Sequence, residues 1–229
     1  MSIGITLFSI PLTIGVYILS LWLFKKRPSV FTMPILFCTV VIISVFMISG
    51  ISYEQYGVAK EIMTYLLGPA TVALAVPLYK QREMIKKNAL PIMVGMMLGT
   101  IVTIGSALAM AVWFGLSDVM IRSLSVKSIT IPIANEVAYI LNANPTLVAG
   151  FVMITGMFGA MFGSVLLNIA NITNPVARGL SFGTMAHGIG TAQAMNEGEV
   201  QGATSGISIG LAGIFTSIFL PWVLPLFLM

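Results

Sequence analysis

The only histidine of the chain, His187, lies in the stretch GTMAHGIGTA (183–192), among three glycines and two threonines. An imidazole titrates near neutral pH when unperturbed. It can therefore bind an anion, relay a proton, or pin two unwound half-helices through a structural hydrogen bond. Thr184 and Thr191 bring hydroxyl donors, and Gly188 and Gly190 let backbone approach a solute. A second polar group lies in SITIPIANEVAYIL (128–141), which holds Thr130, Pro132, Asn135 and Glu136. Carboxylates in membrane segments are costly and usually face a cavity or a partner, so Glu136 is a candidate for ion or proton coupling, with an interfacial position as the alternative. Asn135 is a candidate solute contact or a lock on the helix break. A third group lies in LLGPATVALAVPLY (66–79), where Pro69 and Pro77 each remove a backbone donor and Thr71 offers a hydroxyl to solute or to freed backbone. Arg178 precedes the histidine stretch, where it either attracts an anion or anchors a helix end at the headgroups.

These residue types do not make an enzyme. With one histidine and one cysteine, Cys38, the chain has no zinc ligand set, no HExxH motif and no intrachain disulfide. The single aspartate, Asp118, falls in a predicted connector. No metal or cofactor is expected. Solute binding fits better, because a broken helix exposes amides whose positive dipole ends suit an anion. A small carboxylate is the expected solute.

The elements that must position these groups follow from composition. Hydrophobic residues make up 58% of the chain and charged residues 8%, and the mean hydropathy is +1.02, against about 25% charged residues in soluble domains. The chain is an integral membrane protein embedded in a lipid bilayer. A spanning helix needs roughly 20 apolar residues, so this length holds about six to eight membrane segments. We expect an all-α polytopic bundle with discontinuous helices, forming one domain over residues 1–229. Spans are predicted near 4–24, 33–50, 62–79, 89–113, 146–170 and 204–228, with 116–128 a polar connector and 176–195 long enough to cross but broken. The first run is read as a retained helix, because its charges follow the apolar stretch instead of preceding it. Of the eleven basic residues, seven lie in Lys25–Arg27 and Lys80–Lys87. These clusters are expected to face the cytoplasm and are topology markers, not a nucleic-acid surface.

Glycine weakens a helix by about 1 kcal/mol relative to alanine, so Gly183, Gly188 and Gly190 favour unwinding. Breaks are placed at Pro69, Pro77, Pro132 and Gly183. Unwound backbone is tolerated at membrane depth only where protein or a water-filled cavity satisfies it. AVPLY (75–79) and TIPIA (130–134) each precede a further proline, Pro91 and Pro145, a weak internal similarity of the kind that marks transporter repeats. Glycines four apart, as at Gly95 and Gly99 or Gly159 and Gly163, point to tight helix packing or to a dimer face.

Three blocks, LLGPATVALAVPLYKQ, SVKSITIPIANEVA and NPVARGLSFGTMAHGIGTAQAMNEGEVQGA, resemble the LrgB/CidB family of bacterial membrane proteins. The likeness covers nearly the whole chain and is most specific in AHGIGTA and the following GEV. It implies a multi-pass protein of the bacterial inner membrane, holin-like or antiholin-like, modulating murein hydrolase activity, autolysis and programmed cell death. It also implies a small LrgA/CidA-type membrane partner, and a homodimer is expected. Related members resemble transporters: a plastid relative exchanges glycolate and glycerate, and bacterial ones are linked to pyruvate uptake. A transporter of small 2-oxo or 2-hydroxy monocarboxylates is thus the leading expectation, and the regulatory role its alternative. The family motif falls on Pro69, Ala70, Thr71, Pro77, Thr130, Pro132, Glu136, Arg178, Gly183, Thr184, His187, Gly188, Gly190 and Thr191. Ile131 stands where many relatives have a second threonine, which puts that hydroxyl contact in doubt.

Overall fold

The computed structural model describes residues 3–27, 32–66, 69, 72 and 75–228, all helix, turn or loop. The chain divides into two compact units, residues 1–73 and 74–229.

In the first unit α1 (Ile3–Lys26) carries no acidic residue in its first turn and ends on Lys25 and Lys26, cations that suit the negative end of a helix dipole. Next, α2 (Pro34–Ser49) starts on proline, whose missing N–H is no loss at a first turn. It stops at Gly50, which takes the left-handed backbone (φ 67°) that a side chain disfavours. Cys38 Sγ on α2 donates to Ser20 Oγ on α1 at 3.4 Å. The hydroxyls of Thr13 and Tyr56 lie 3.4 Å apart, holding the start of α3 (Gly57–Tyr65) against α1. The span predicted at 62–79 falls partly on residues outside the description, and Thr71 is one of them.

The second unit begins with two short helices, α4 (Ala75–Lys80) and α5 (Arg82–Lys87). Three long ones follow with shorter pieces between them: α6 (Ala89–Trp113), α7 (Asp118–Ser125), α8 (Ile131–Ile140), α9 (Pro145–Ile169), α10 (Pro175–Glu197) and α11 (Glu199–Val223). A three-ten turn, Leu224–Phe227, closes the chain. Asn144 and Asn174 cap α9 and α10 in the same way. Each side-chain oxygen accepts two backbone N–H bonds from the first turn, and the next residue is proline.

Among the described residues four helices are long and apolar enough to cross a bilayer: Gly4–Lys26, α6, α9 and Glu199–Phe227. The shorter α2 is apolar but only 16 residues long. The protein is therefore an all-α, multi-pass membrane protein with discontinuous helices. Large apolar side chains such as Leu98, Val102, Phe158 and Ile218 are exposed along the spans, as a lipid-facing surface requires. The larger buried cluster of the second unit joins Ile104 and Leu108 of α6, Val126 and Ile129 of the α7–α8 loop, Val148 and Val152 of α9, and Leu220 of α11; a smaller one holds Leu167, Phe182 and Ala194.

Candidate functional site: two helical hairpins and the His187 turn

The apolar length of 175–197 is enough to cross, but the chain reverses inside it. His187 has φ 42° and ψ −137°, a non-helical conformation within α10. This lies close to the first central position of a type II′ turn, where glycine is the usual residue. After the turn the second arm folds back on the first. A Cβ on Gly190 would meet Ala186 Cβ and, at 2.9 Å, the carbonyl oxygen of Phe182. In a continuous helix those eight residues would separate by about 12 Å.

An ion pair closes the mouth of this hairpin. Arg178 Nε and a terminal nitrogen donate to the two oxygens of Glu197 at 2.7 and 2.8 Å. The other terminal nitrogen donates to Asn168 Oδ1 and to the carbonyl of Ile172. Glu197 also accepts from Ser164 Oγ at 2.6 Å, and Gln193 donates to the same serine. Both arms are thereby tied to the Ile169 end of α9.

The tip lies deep. His187 is buried, and its Nε2 donates to the carbonyl of Val152 at 2.9 Å. A carbonyl only accepts, so Nε2 carries the proton, and Nδ1 of the neutral ring is left as an acceptor. Val152 is seventeen residues from the Ile169 end of α9, about 26 Å along the helix. Gly156 makes room for the ring, since a Cβ there would stand 2.7 Å from Cε1 and Nε2.

The segment 118–141 is a second hairpin. Arg122 donates to the carbonyl of Leu141 at 2.9 Å, and the backbone N–H of Asn144 donates to Ser123 Oγ at 3.1 Å, so the chain returns beside α7 once α8 has ended. Its mouth lies at the Pro145 end of α9, opposite the mouth of the first. Its tip, residues 126–130, sends Val126 and Ile129 into the cluster that holds Val148 and Val152.

The predicted site residues are only partly brought together. His187, Thr184, Thr191, Gly183 and Gly190 are buried in the α10 hairpin, while Gly188 is exposed at its tip with open space around it. Thr184 donates to Leu180 O at 2.8 Å. Thr191 meets His187 O at 3.0 Å and Ser205 Oγ at 2.7 Å. Thr191 thereby ties the turn residue to α11, whereas the Thr184 hydroxyl bonds back within its own arm. Gly183 is not the break, which falls four residues later at His187; a side chain on Gly183 would overlap the Ser205 carbonyl, so this glycine serves close packing on α11.

Thr130 is the residue before α8, and Pro132 lies in its first turn, where proline starts a helix instead of interrupting one. Asn135 and Glu136 are exposed, because positions 134, 137 and 138 take the buried face of α8. They line a groove of about 950 Å³ with Tyr139, Asn142 and Pro145, apart from the histidine. Arg178 is engaged with Glu197 and so is not open to a solute. Pro77 falls within α4, and Pro69 is exposed, with both sequence neighbours outside the description. Sequence reasoning missed Glu197, Ser164 and Ser205. No spacing rule for a helix joins Arg178 to Glu197; only the reversal does.

Among the described residues no group of three or more His, Cys, Asp or Glu side chains could hold a metal ion. No solved structure matches this chain. It is 35% identical to the uncharacterized protein YxaC of Bacillus subtilis (strain 168) over 97% of each chain. It is 33% identical to the holin-like protein CidB of Staphylococcus aureus (strain Mu50) over 96% of each, and 29% identical to the antiholin-like protein LrgB of B. subtilis over 93% of each. The family model described as LrgB-like matches residues 13–226, nearly the whole of a multi-pass chain whose long apolar helices suit a bacterial inner membrane: the protein belongs to the LrgB-like family.

Proposed function

We propose that this protein is a holin-like or antiholin-like regulator of murein hydrolase activity, and that it acts by passing a small 2-oxo or 2-hydroxy monocarboxylate across the membrane. The names of its relatives support the regulatory role. One observation supports the molecular act: a re-entrant hairpin whose tip carries a buried histidine and two buried threonines to mid-depth of a spanning helix. Polar backbone at that depth is tolerated where it lines a cavity or is covered by protein, and discontinuous helices at the midplane are where transporters hold small anions. A lesion-forming channel has no need of such a tip. A small LrgA/CidA-type protein and a second copy of the chain are the proposed partners.

Purified protein in liposomes tests the two parts together. Saturable uptake of labelled pyruvate, glycolate or lactate without release of a large trapped dye is the expected result. Dye release that persists in His187→Ala would favour a lesion and overturn the transport part. No flux of either kind would overturn passage altogether.

A further inference from the structure

The second unit has a regular plan. Helices α6, α9 and α11 are each 25 residues long. The segments between them, 118–140 and 175–197, are each 23. Corresponding elements begin 54 to 57 positions apart, the interval that also separates Pro77 from Pro132. Each interposed segment is a hairpin, and the two open at opposite ends of α9, which is about 36 Å long. Span plus hairpin, repeated upside down, is the arrangement that places a solute site where the repeats meet.

The α7–α8 tip brings Lys127 to that meeting point. Lys127 is partly buried, its Nζ donates to Ser128 Oγ at 2.9 Å, and Ser128 is itself buried. The neighbours of Lys127, Val126 and Ile129, belong to the same buried cluster as Val152, the residue whose carbonyl accepts from His187. Among the described residues no carboxylate pairs with Lys127: the ion pairs join Arg82 and Lys86 to Glu83, and Arg178 to Glu197. The other cation of this hairpin, Arg122, is spent on the Leu141 carbonyl at the mouth. A cation drawn into low dielectric without a partner is expensive, and an anion from solution supplies the partner.

We propose that the tips of the two opposed hairpins form one binding site for a small anion of single negative charge, with the Lys127 ammonium as its fixed counter-charge and the His187–Gly188 turn as the facing wall. The proposal rests on the passage reading above and deepens it. Lys127 binds the carboxylate directly, Ser128 orients the ammonium, and Gly188 leaves the approach open. One uncompensated charge favours monocarboxylates over dicarboxylates of the same length.

The test is made in full-length protein carrying Cys38→Ser. In liposomes Lys127→Cys is expected to reduce saturable pyruvate flux roughly tenfold or more, the usual worth of a charge-assisted hydrogen bond. Reaction of that cysteine with 2-aminoethyl methanethiosulfonate restores an ammonium at nearly the original reach, and flux is expected to return; the neutral methyl reagent should not restore it. Normal flux and KM in Lys127→Cys, or no recovery when mass spectrometry confirms the ammonium adduct, would overturn the role of Lys127 and leave passage standing. Absence of flux in the Cys38→Ser parent and in the unaltered protein would instead overturn the passage reading, and this inference with it.

Discussion

Replacing His187 by glycine and by alanine gives opposite results for a hairpin turn and for a continuous helix. Both substitutions remove the imidazole and its bond to Val152, so those losses cancel in the comparison. What differs is the backbone. At φ 42° and ψ −137° a residue with a Cβ is strained by about 1–3 kcal/mol, and glycine is not. Glycine gives back about 0.4–1 kcal/mol through its freer unfolded chain, leaving His187→Gly more stable than His187→Ala by about 1–2 kcal/mol. In a continuous helix alanine would instead win by about 1 kcal/mol. Thermal unfolding of both variants in one detergent measures this directly. The glycine variant should unfold about 2–8 °C higher, given 2–4 °C per kcal/mol for chains of this size. An alanine variant as stable as the glycine variant, or more so, would refute the turn. Both variants should lose solute flux while remaining monodisperse.

Three further outcomes follow from the same geometry. Arg178 and Glu197 are 11% and 13% exposed, so Arg178→Leu alone should cost about 3 kcal/mol by stranding the carboxylate. Adding Glu197→Leu should recover much of that loss in the same unfolding assay. Gly156→Ala places a methyl against the His187 ring and Ile189; it should destabilise by about 1–3 kcal/mol, and His187→Gly should relieve part of that in the double variant. Glu136→Gln, on the exposed face of α8, should leave flux and its pH dependence unchanged in liposomes, and a shifted pH profile would return Glu136 to the site.

The spans were legible because apolar length is a one-dimensional property. The predicted 89–113 coincides with α6, and 146–170 differs from α9 by one residue at each end. The reversal was not. A run of 23 residues with glycines reads alike as a broken crossing and as a folded-back hairpin, since composition records no direction. The glycines misplaced the break for a physical reason: Gly183 and Gly190 are there for close packing, whereas the turn itself is made by a histidine held in a glycine-like conformation. Lys127 read as part of a polar connector because nothing local to it shows that α7 and α8 carry the loop inward. Asn135 and Glu136 were grouped with His187 by polarity, and the helical phase of α8 sends them the other way.

The re-entrant α10 is the claim on which the site depends, and the side of the membrane reached by its two ends tests it most directly. Thr173 and Asn196 are exposed and flank the hairpin. In Cys38→Ser protein, Thr173→Cys and Asn196→Cys should both react with a membrane-impermeant maleimide from the same face of oriented vesicles. Labelling of the two positions from opposite faces would mean that the segment crosses the membrane, and would contradict the account.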